Sequence, residues 1–232
     1  MLAFDFDGVI ADGVDECLLV SWIAHHGLGI DTFSPLGLDS VPPPFREEFL
    51  RLRRFVRHDG HFLVAFAGNT QIIDDPSAFE EKYASISEEE REEFRAQFVA
   101  TRTAIRDACE SYWLRLHRTF PQVVGIIASS GGNIKIVSGK DARSIIDILR
   151  NQGIHMAETD VFGRLTSKRE VLTELLSEAR ERSEELVFID DNLANVCEAI
   201  ELGARGIWAS WGHHSEDDVV RARRESVPIA TL

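Results

Sequence analysis

The run Leu2-Ala3-Phe4-Asp5-Phe6-Asp7-Gly8-Val9-Ile10 constrains this chain more than any other stretch. An apolar strand ends in two carboxylates one residue apart, and a glycine then turns the chain away. Side chains alternate along a strand, so Asp5 and Asp7 point to the same side. In open α/β sheets the C-terminal edge of the strands is where ligands bind. Two acids side by side repel and raise one pKa unless a cation sits between them. The pattern therefore asks for a metal, a proton transfer, or both.

Beyond this turn, apolar spacing predicts a helix from Val14 to His26, ended by Gly27 and Gly29, and a Pro-, Gly-, Ser- and Asp-rich loop over 30–44. A second helix is expected from Phe45 to Val56. The apolar segment His61 to Gly68 fits either element type. Ser87 followed by Glu88, Glu89 and Glu90 reads as a capping box that opens a long helix running toward Leu116. Pro121 starts another over Gln122 to Ser129, closed by Gly131 and Gly132. The periodicity then changes. Strands are expected at Ile134–Val137, Val161–Phe162, Leu186–Ile189 and Gly206–Ala209. Helices alternate with them: Ala142–Asn151 capped by Asp141, Lys168–Arg180 capped by Ser167, Asn192–Leu202 and Ser215–Arg224. Alternating strands and helices predict an α/β fold with a doubly wound parallel sheet. The expected domains are a core of residues 1–12 and 122–232, and an inserted α-helical domain of 13–121.

The 232 residues suit one elaborated domain or two small ones, and 44% hydrophobic residues are enough for a core. With 25 basic against 39 acidic residues, the net charge is −14. Such a chain lacks the basic footprint of nucleic-acid or anionic-membrane binding, so neither partner is expected. Cys17, Cys109 and Cys197 show no metal spacing and read as buried reduced thiols. No secretory leader and no stretch of spanning length is evident, so a cytoplasmic location is expected.

Four sets of residues fall at strand ends or helix starts: Asp5 with Asp7, Ser138 with Gly139, Lys168, and Asp190 with Asp191. Loops that follow parallel strands collect on one edge, so three of these sets converge there, and Lys168 can lean toward them. Each set alone is weak. D-x-D after a strand is a common turn or cap, Ser138 a turn hydroxyl, Lys168 a surface helix residue and Asn195 a helix-surface amide. Their order, however, resembles that of the haloacid dehalogenase-like (HAD) superfamily. Phe4-Asp5-Phe6-Asp7-Gly8-Val9 stands for its first motif, Ile136-Val137-Ser138-Gly139 for the second and Lys168 for the third. Phe188-Ile189-Asp190-Asp191-Asn192, with Asn195 following, stands for the fourth. The resemblance covers residues 1–12 and about 122–212, and the insert sits where that family carries a helical cap.

The resemblance implies a HAD-like Rossmannoid core and a Mg²⁺-dependent phosphatase acting on a small phosphorylated metabolite. It implies Asp5 as nucleophile through an aspartyl phosphate, and Asp7 as general acid, then base. Mg²⁺ would be held by Asp5, Asp191 and the backbone carbonyl of Asp7, with Asp190 a further ligand or an outer acceptor. Ser138 and the Gly139 N–H would hold phosphoryl oxygens, and Lys168 would offset the charge of Asp5 and the phosphate. Asn195 would bond the acid cluster or cap its helix. Lys168 is followed by Arg169 where a proline is frequent in the family, which leaves Lys140 and Lys135 as competitors for its role.

Asp7 separates branches of the family, because halide cleavage needs no proton. The stretch Asp7-Gly8-Val9-Ile10-Ala11-Asp12 resembles that of sugar phosphomutases, so transfer to a sugar hydroxyl is the alternative to hydrolysis. A silent binding module is a third reading, against which the complete acid set argues. Within the insert, Trp22 and Trp113 read as core and His25-His26 as a surface pair. Arg51, Arg53, Arg54, Arg57 and His58 read as a solvated helix face that could instead meet an anionic substrate. The aromatic-rich long helix could serve a homodimer interface.

Overall fold

A computed structural model describes residues 1–29, 37–130 and 132–232. It divides into two compact units, Met1–Asp12 with Arg118–Leu232, and Gly13–His117. The first part of the predicted loop, 30–36, and Gly131 lie outside the described residues.

The first unit is built on six parallel strands: β1 (Leu2–Phe4), β4 (Ile134–Val137), β5 (Val161–Phe162), β6 (Val187–Asp190), β7 (Arg205–Ala209) and β8 (Ile229–Ala230). Their spatial order is β5-β4-β1-β6-β7-β8. The first strand therefore lies centrally between β4 and β6, with Phe4 level with Ile136 on one side and Ile189 on the other. The chain winds to one side of β1 and then to the other, which is the switch point where α/β sheets open a crevice. Asp5 extends the pairing by one residue, its N–H donating to the Ile189 carbonyl at 2.8 Å. Two short strands, β2 (Ala11–Asp12) and β3 (Arg118–Thr119), form a separate antiparallel pair. β2, β3 and β8, of two residues each, are not among the strands expected from the sequence.

Helices α6 (Pro121–Ser129), α7 (Ala142–Asn151), α8 (Arg169–Glu181), α9 (Leu193–Leu202) and α10 (Glu216–Arg224) connect the strands. One core packs Ala3, Val137 and Phe188 of the sheet against Leu172, Leu175, Leu176 and Ala179 of α8. A second gathers Leu193 and Val196 of α9 with Trp208, Ala222 and Val227. Asp141 caps α7 as expected, accepting from the Ser144 N–H at 2.9 Å. The expected Ser167 cap is shifted: Lys168 itself holds the N-cap position, and Ser167 Oγ accepts from the Arg169 N–H at 3.3 Å.

The second unit is helical: α1 (Val14–His26), α2 (Pro43–Leu52), α3 (Pro76–Ala84), α4 (Glu88–Ala108) and α5 (Glu110–Arg115), with 3-10 turns over Gly37–Ser40, Arg53–Phe55, Asp59–Phe66 and Thr70–Ile72. The prolines read as loop instead open α2, because a proline in the first turn loses no intrahelical bond and its φ suits a helix. The long helix expected to reach Leu116 breaks at Cys109, whose φ of −142° and ψ of 52° are not helical. Helix α3 was legible in principle: Asp75 caps it, accepting from the Ser77 and Ala78 N–H groups, and Pro76 begins it. The core is aromatic, with Phe49 stacked on Phe62 at 5.1 Å and Phe62 on Phe98 at 5.6 Å. Cys17 is buried, but Cys109 is exposed and Cys197 half-buried, contrary to the expectation of three buried thiols.

The basic cluster is a solvated face only in part: Arg57 is exposed, while Arg51, Arg53, Arg54 and His58 are half-buried. Arg51 donates to the Thr70 carbonyl at 2.6 Å and also to the Ile73 carbonyl, and pairs with Glu48. The Arg54 guanidinium lies over the Phe55 ring. The His58 and His61 rings lie 3.8 Å apart, tilted by 49°, beside Tyr83. Burial, with the charges of Arg95 and Arg57 adding and Asp59 opposing, pushes His58 down to about 4. Burial first, then His58, pushes His61 down to about 3. Both rings are therefore neutral in the fold, while in the unfolded chain they titrate near 6.5. The stability they carry is present above pH 6.5 and is lost as pH falls toward the folded values. Thermal unfolding between about pH 7 and 5 should show a falling midpoint, worth at most about 1.4 kcal/mol per pH unit for each histidine. His61→Leu should flatten that slope by about half; an unchanged slope would exclude these rings as its source.

No helix among the described residues is long and apolar enough to cross a membrane.

Candidate active site

Three neighbouring strands, β4, β1 and β6, end at one edge in Ser138, Asp5 and Asp190-Asp191. The aspartates converge: Asp5, Asp190 and Asp191 are all buried, and each offers a carboxylate oxygen within 4.8 Å of the others. Lys168, at the start of α8, spans two of them, with Nζ 2.9 Å from Asp5 Oδ1 and 2.7 Å from Asp190 Oδ2. The contact to Asp5 is an ion pair without hydrogen-bond alignment, and Oδ1 of Asp5 otherwise has no hydrogen-bond partner.

Asp190 is held on both oxygens. Its Oδ1 accepts from the Asn192 N–H at 2.7 Å, and its Oδ2 from Lys168 and from Asn195 Nδ2 at 3.0 Å. Asn195 thus bonds the acid cluster, and the helix-capping role falls to Asn192, which accepts from the Ala194 and Asn195 N–H groups. Asp191 Oδ2 accepts from the His213 N–H at 2.8 Å, and its main-chain carbonyl from Trp208 Nε1 at 2.7 Å.

Glycines make room for Asp191 on two sides. A Cβ on Gly8 would lie 2.0 Å from Asp191 Oδ2, and one on Gly212 2.3 Å from Asp191 Cβ. Gly8 also has a φ of +87°, a conformation L side chains rarely adopt, and its N–H closes the turn onto the Ala11 carbonyl at 2.7 Å. The glycine after the paired acids is therefore required both by the turn and by the carboxylate beyond it.

Burial alone would push the Lys168 ammonium down, but Asp190 and Asp5 outweigh it and hold the group above the ordinary lysine range. Burial pushes the Asp190 carboxyl up, against the pull of Lys168. One cation against three buried carboxylates leaves a negative excess that favours a further cation. The donors are all hard oxygens, and Asp5 keeps a buried oxygen without a hydrogen bond. That donor set fits a divalent ion such as Mg²⁺.

Asp7 is half-buried, and Lys140 Nζ lies 3.5 Å from its Oδ1. Ser138 is buried, with its N–H on the Phe162 carbonyl at 2.9 Å, and Gly139 follows it half-buried. Of the competing lysines, Lys135 is engaged elsewhere, 2.7 Å from Asp160. His213, which follows the last long strand, reaches Asp12 with Nε2 at 3.5 Å from Oδ1.

No family model and no curated protein matches the chain. Solved structures do. The chain is similar to a haloacid dehalogenase-like hydrolase from Streptococcus pneumoniae, with a TM-score of 0.57 and 16% identity over 99% of this chain and 92% of that one. It is similar to a predicted phosphatase from Clostridium acetobutylicum, with a TM-score of 0.58 and 15% identity over 100% and 93%. A predicted phosphoglycolate phosphatase from Haemophilus somnus gives a TM-score of 0.55 and 13% identity over 92% and 86%. At these identities the likeness is one of fold: this is the fold of haloacid dehalogenase-like hydrolases.

Proposed function

We propose that this chain is a Mg²⁺-dependent phosphatase that hydrolyses a small phosphorylated metabolite through an aspartyl phosphate on Asp5. The observation that carries the reading is the convergence of Asp5, Asp190 and Asp191 on one buried point, with Lys168 bridging two of them. Neighbours in fold that are described as phosphatases support it. So does Asp7, two residues beyond the nucleophile, where a proton donor is needed for an alcohol leaving group.

Phosphoryl transfer needs positioning and charge neutralisation more than covalent assistance. Asp5 attacks phosphorus as the bond to the leaving oxygen breaks, and the Asp7 carboxyl gives its proton to that oxygen. The Asp7 carboxylate then takes a proton from the water that attacks the aspartyl phosphate, which releases phosphate and restores Asp5. Ser138 and the Gly139 N–H hold phosphoryl oxygens. Lys168 stays charged and screens Asp5 against the incoming anion. Asp190, whose two oxygens are already occupied by donors, serves to hold Lys168. Asp5, Asp191 and the Asp7 carbonyl would hold Mg²⁺. When bound, it supplies positive charge to the reacting oxygens. The reading places catalysis in the sheet unit, with the helical unit as a cap that selects the substrate and the whole acting in the cytoplasm.

The test is phosphate release from an aryl phosphate and from a panel of phosphorylated metabolites, with sugar phosphates also assayed for isomer formation. Turnover should require Mg²⁺ and vanish with a chelator. Absence of metal-dependent turnover on every ester would reject the reading. Isomer formation without phosphate release would convert it to a mutase.

A further inference from the structure

Resting on the phosphatase reading, we propose that Lys140 is the positioning residue for Asp7, holding its carboxylate in line with the leaving oxygen. Lys140 lies two residues beyond Ser138, between β4 and α7. Its side chain is wholly buried, and its Nζ reaches Asp7, 133 residues away in sequence, at 3.5 Å from Oδ1. Asp7 is the more exposed partner, at 17% of its side chain. The buried ammonium therefore anchors a carboxylate that stays partly exposed.

The turn that carries Lys140 is fixed from several sides. Its N–H donates to Ser138 Oγ at 3.4 Å, and its carbonyl accepts from the Arg164 N–H at 3.0 Å. The next residue, Asp141, caps α7. Gly163 approaches so closely that a Cβ there would lie 2.7 Å from the Lys140 carbonyl oxygen and 2.4 Å from the Ala142 nitrogen. A flexible lysine stem thus starts from a backbone with little freedom, which is how a side chain is held to catalytic tolerance.

The two buried lysines divide the work. Lys168 is engaged by Asp5 and Asp190, whereas Lys140 reaches Asp7. An ammonium taken out of water needs a nearby anion, and a carboxylate paired with it gains a fixed direction. Without that anchor the Asp7 carboxyl would sample other rotamers, and proton delivery to the leaving oxygen would lose its geometry.

The experiment compares kcat/KM of the Mg²⁺-loaded wild type and Lys140→Met on para-nitrophenyl and para-methylphenyl phosphate. The two esters have one shape and differ in how much the leaving oxygen needs a proton. Lys140→Met should lose about 100-fold on the methylphenyl ester and under about 5-fold on the nitrophenyl ester, with KM little changed, because only the former depends on general acid catalysis. Lys140→Arg should recover most of the loss. Adding Lys140→Met to Asp7→Asn should cost nothing further, since the two act as one unit. If Lys140→Met fails to fold, Lys140→Gln carries the same comparison. Equal losses on both esters, a loss carried by KM, or a further loss in the Asp7→Asn background would overturn the proposal and make Lys140 a phosphate-binding or purely structural residue. A wild type without metal-dependent turnover would instead defeat the phosphatase reading, and this proposal would fall with it.

Discussion

On the proposed mechanism, Asp5→Asn should abolish turnover and leave the fold intact. Asparagine matches aspartate in shape, so the strand end and its main-chain bond to Ile189 persist. Lys168 keeps its 2.7 Å contact to Asp190, so no buried cation is stranded. What disappears is the oxygen proposed as nucleophile and one of the two carboxylates assigned to the metal. Removal of a nucleophile that acts within a catalytic unit costs at least about 10⁴-fold in kcat. The assay is phosphate release at saturating substrate and Mg²⁺, with the thermal midpoint expected within a few degrees of wild type. Residual activity above about 1% would mean that Asp5 is not the nucleophile.

The second large effect concerns stability. Glu16 is fully buried in the helical unit, and Arg102 grips its carboxylate with Nε at 2.6 Å and Nη2 at 3.0 Å. Trp113 Nε1 donates to the same carboxylate at 3.3 Å, and His117 Nε2 lies 3.9 Å away. This cluster ties α1 to α4 and α5. Glu16→Ala would leave Arg102 buried without the carboxylate it pairs with, a change that typically costs about 3–5 kcal/mol. The measurement is urea unfolding followed by tryptophan fluorescence, with the slope checked for constancy. Replacing both partners, Glu16→Met with Arg102→Met, should recover much of the loss, because the desolvation cost of both charges disappears with them. A loss below about 1 kcal/mol for Glu16→Ala would show that water reaches the arginine.

The difference between these two residues shows what sequence can reveal. Asp5 was legible because strand alternation and parallel topology are local rules: an acid just past an apolar strand must sit at the sheet's C-terminal edge. The same rule placed Ser138, Asp190 and Asp191. Lys168 was legible only through motif order, since a lysine before a helix is ordinarily a surface residue. Glu16 was not legible. In sequence it is one more acid in the first turn of a helix, where acids suit the dipole, and no spacing links positions 16, 102 and 113. A signal did exist: α1 is buried nearly all round, so a charge within it needs an internal partner. The basic run from Arg51 to His58 misled for the opposite reason. Charge suggested solvent, but the arginine stems and histidine rings pack against carbonyls and aromatic faces, as long amphipathic side chains can. The Lys140–Asp7 pair, 133 residues apart, depends on where a turn aims its side chain, and periodicity carries no such information.

The most direct test is to quench the Mg²⁺-loaded enzyme during turnover, reduce with borohydride and map the modified residue by mass spectrometry. An acyl phosphate on Asp5 predicts reduction at residue 5 alone, absent without substrate and absent in Asp5→Asn. A phosphoryl group recovered on Ser138, or turnover with no covalent label on any residue, would contradict the account.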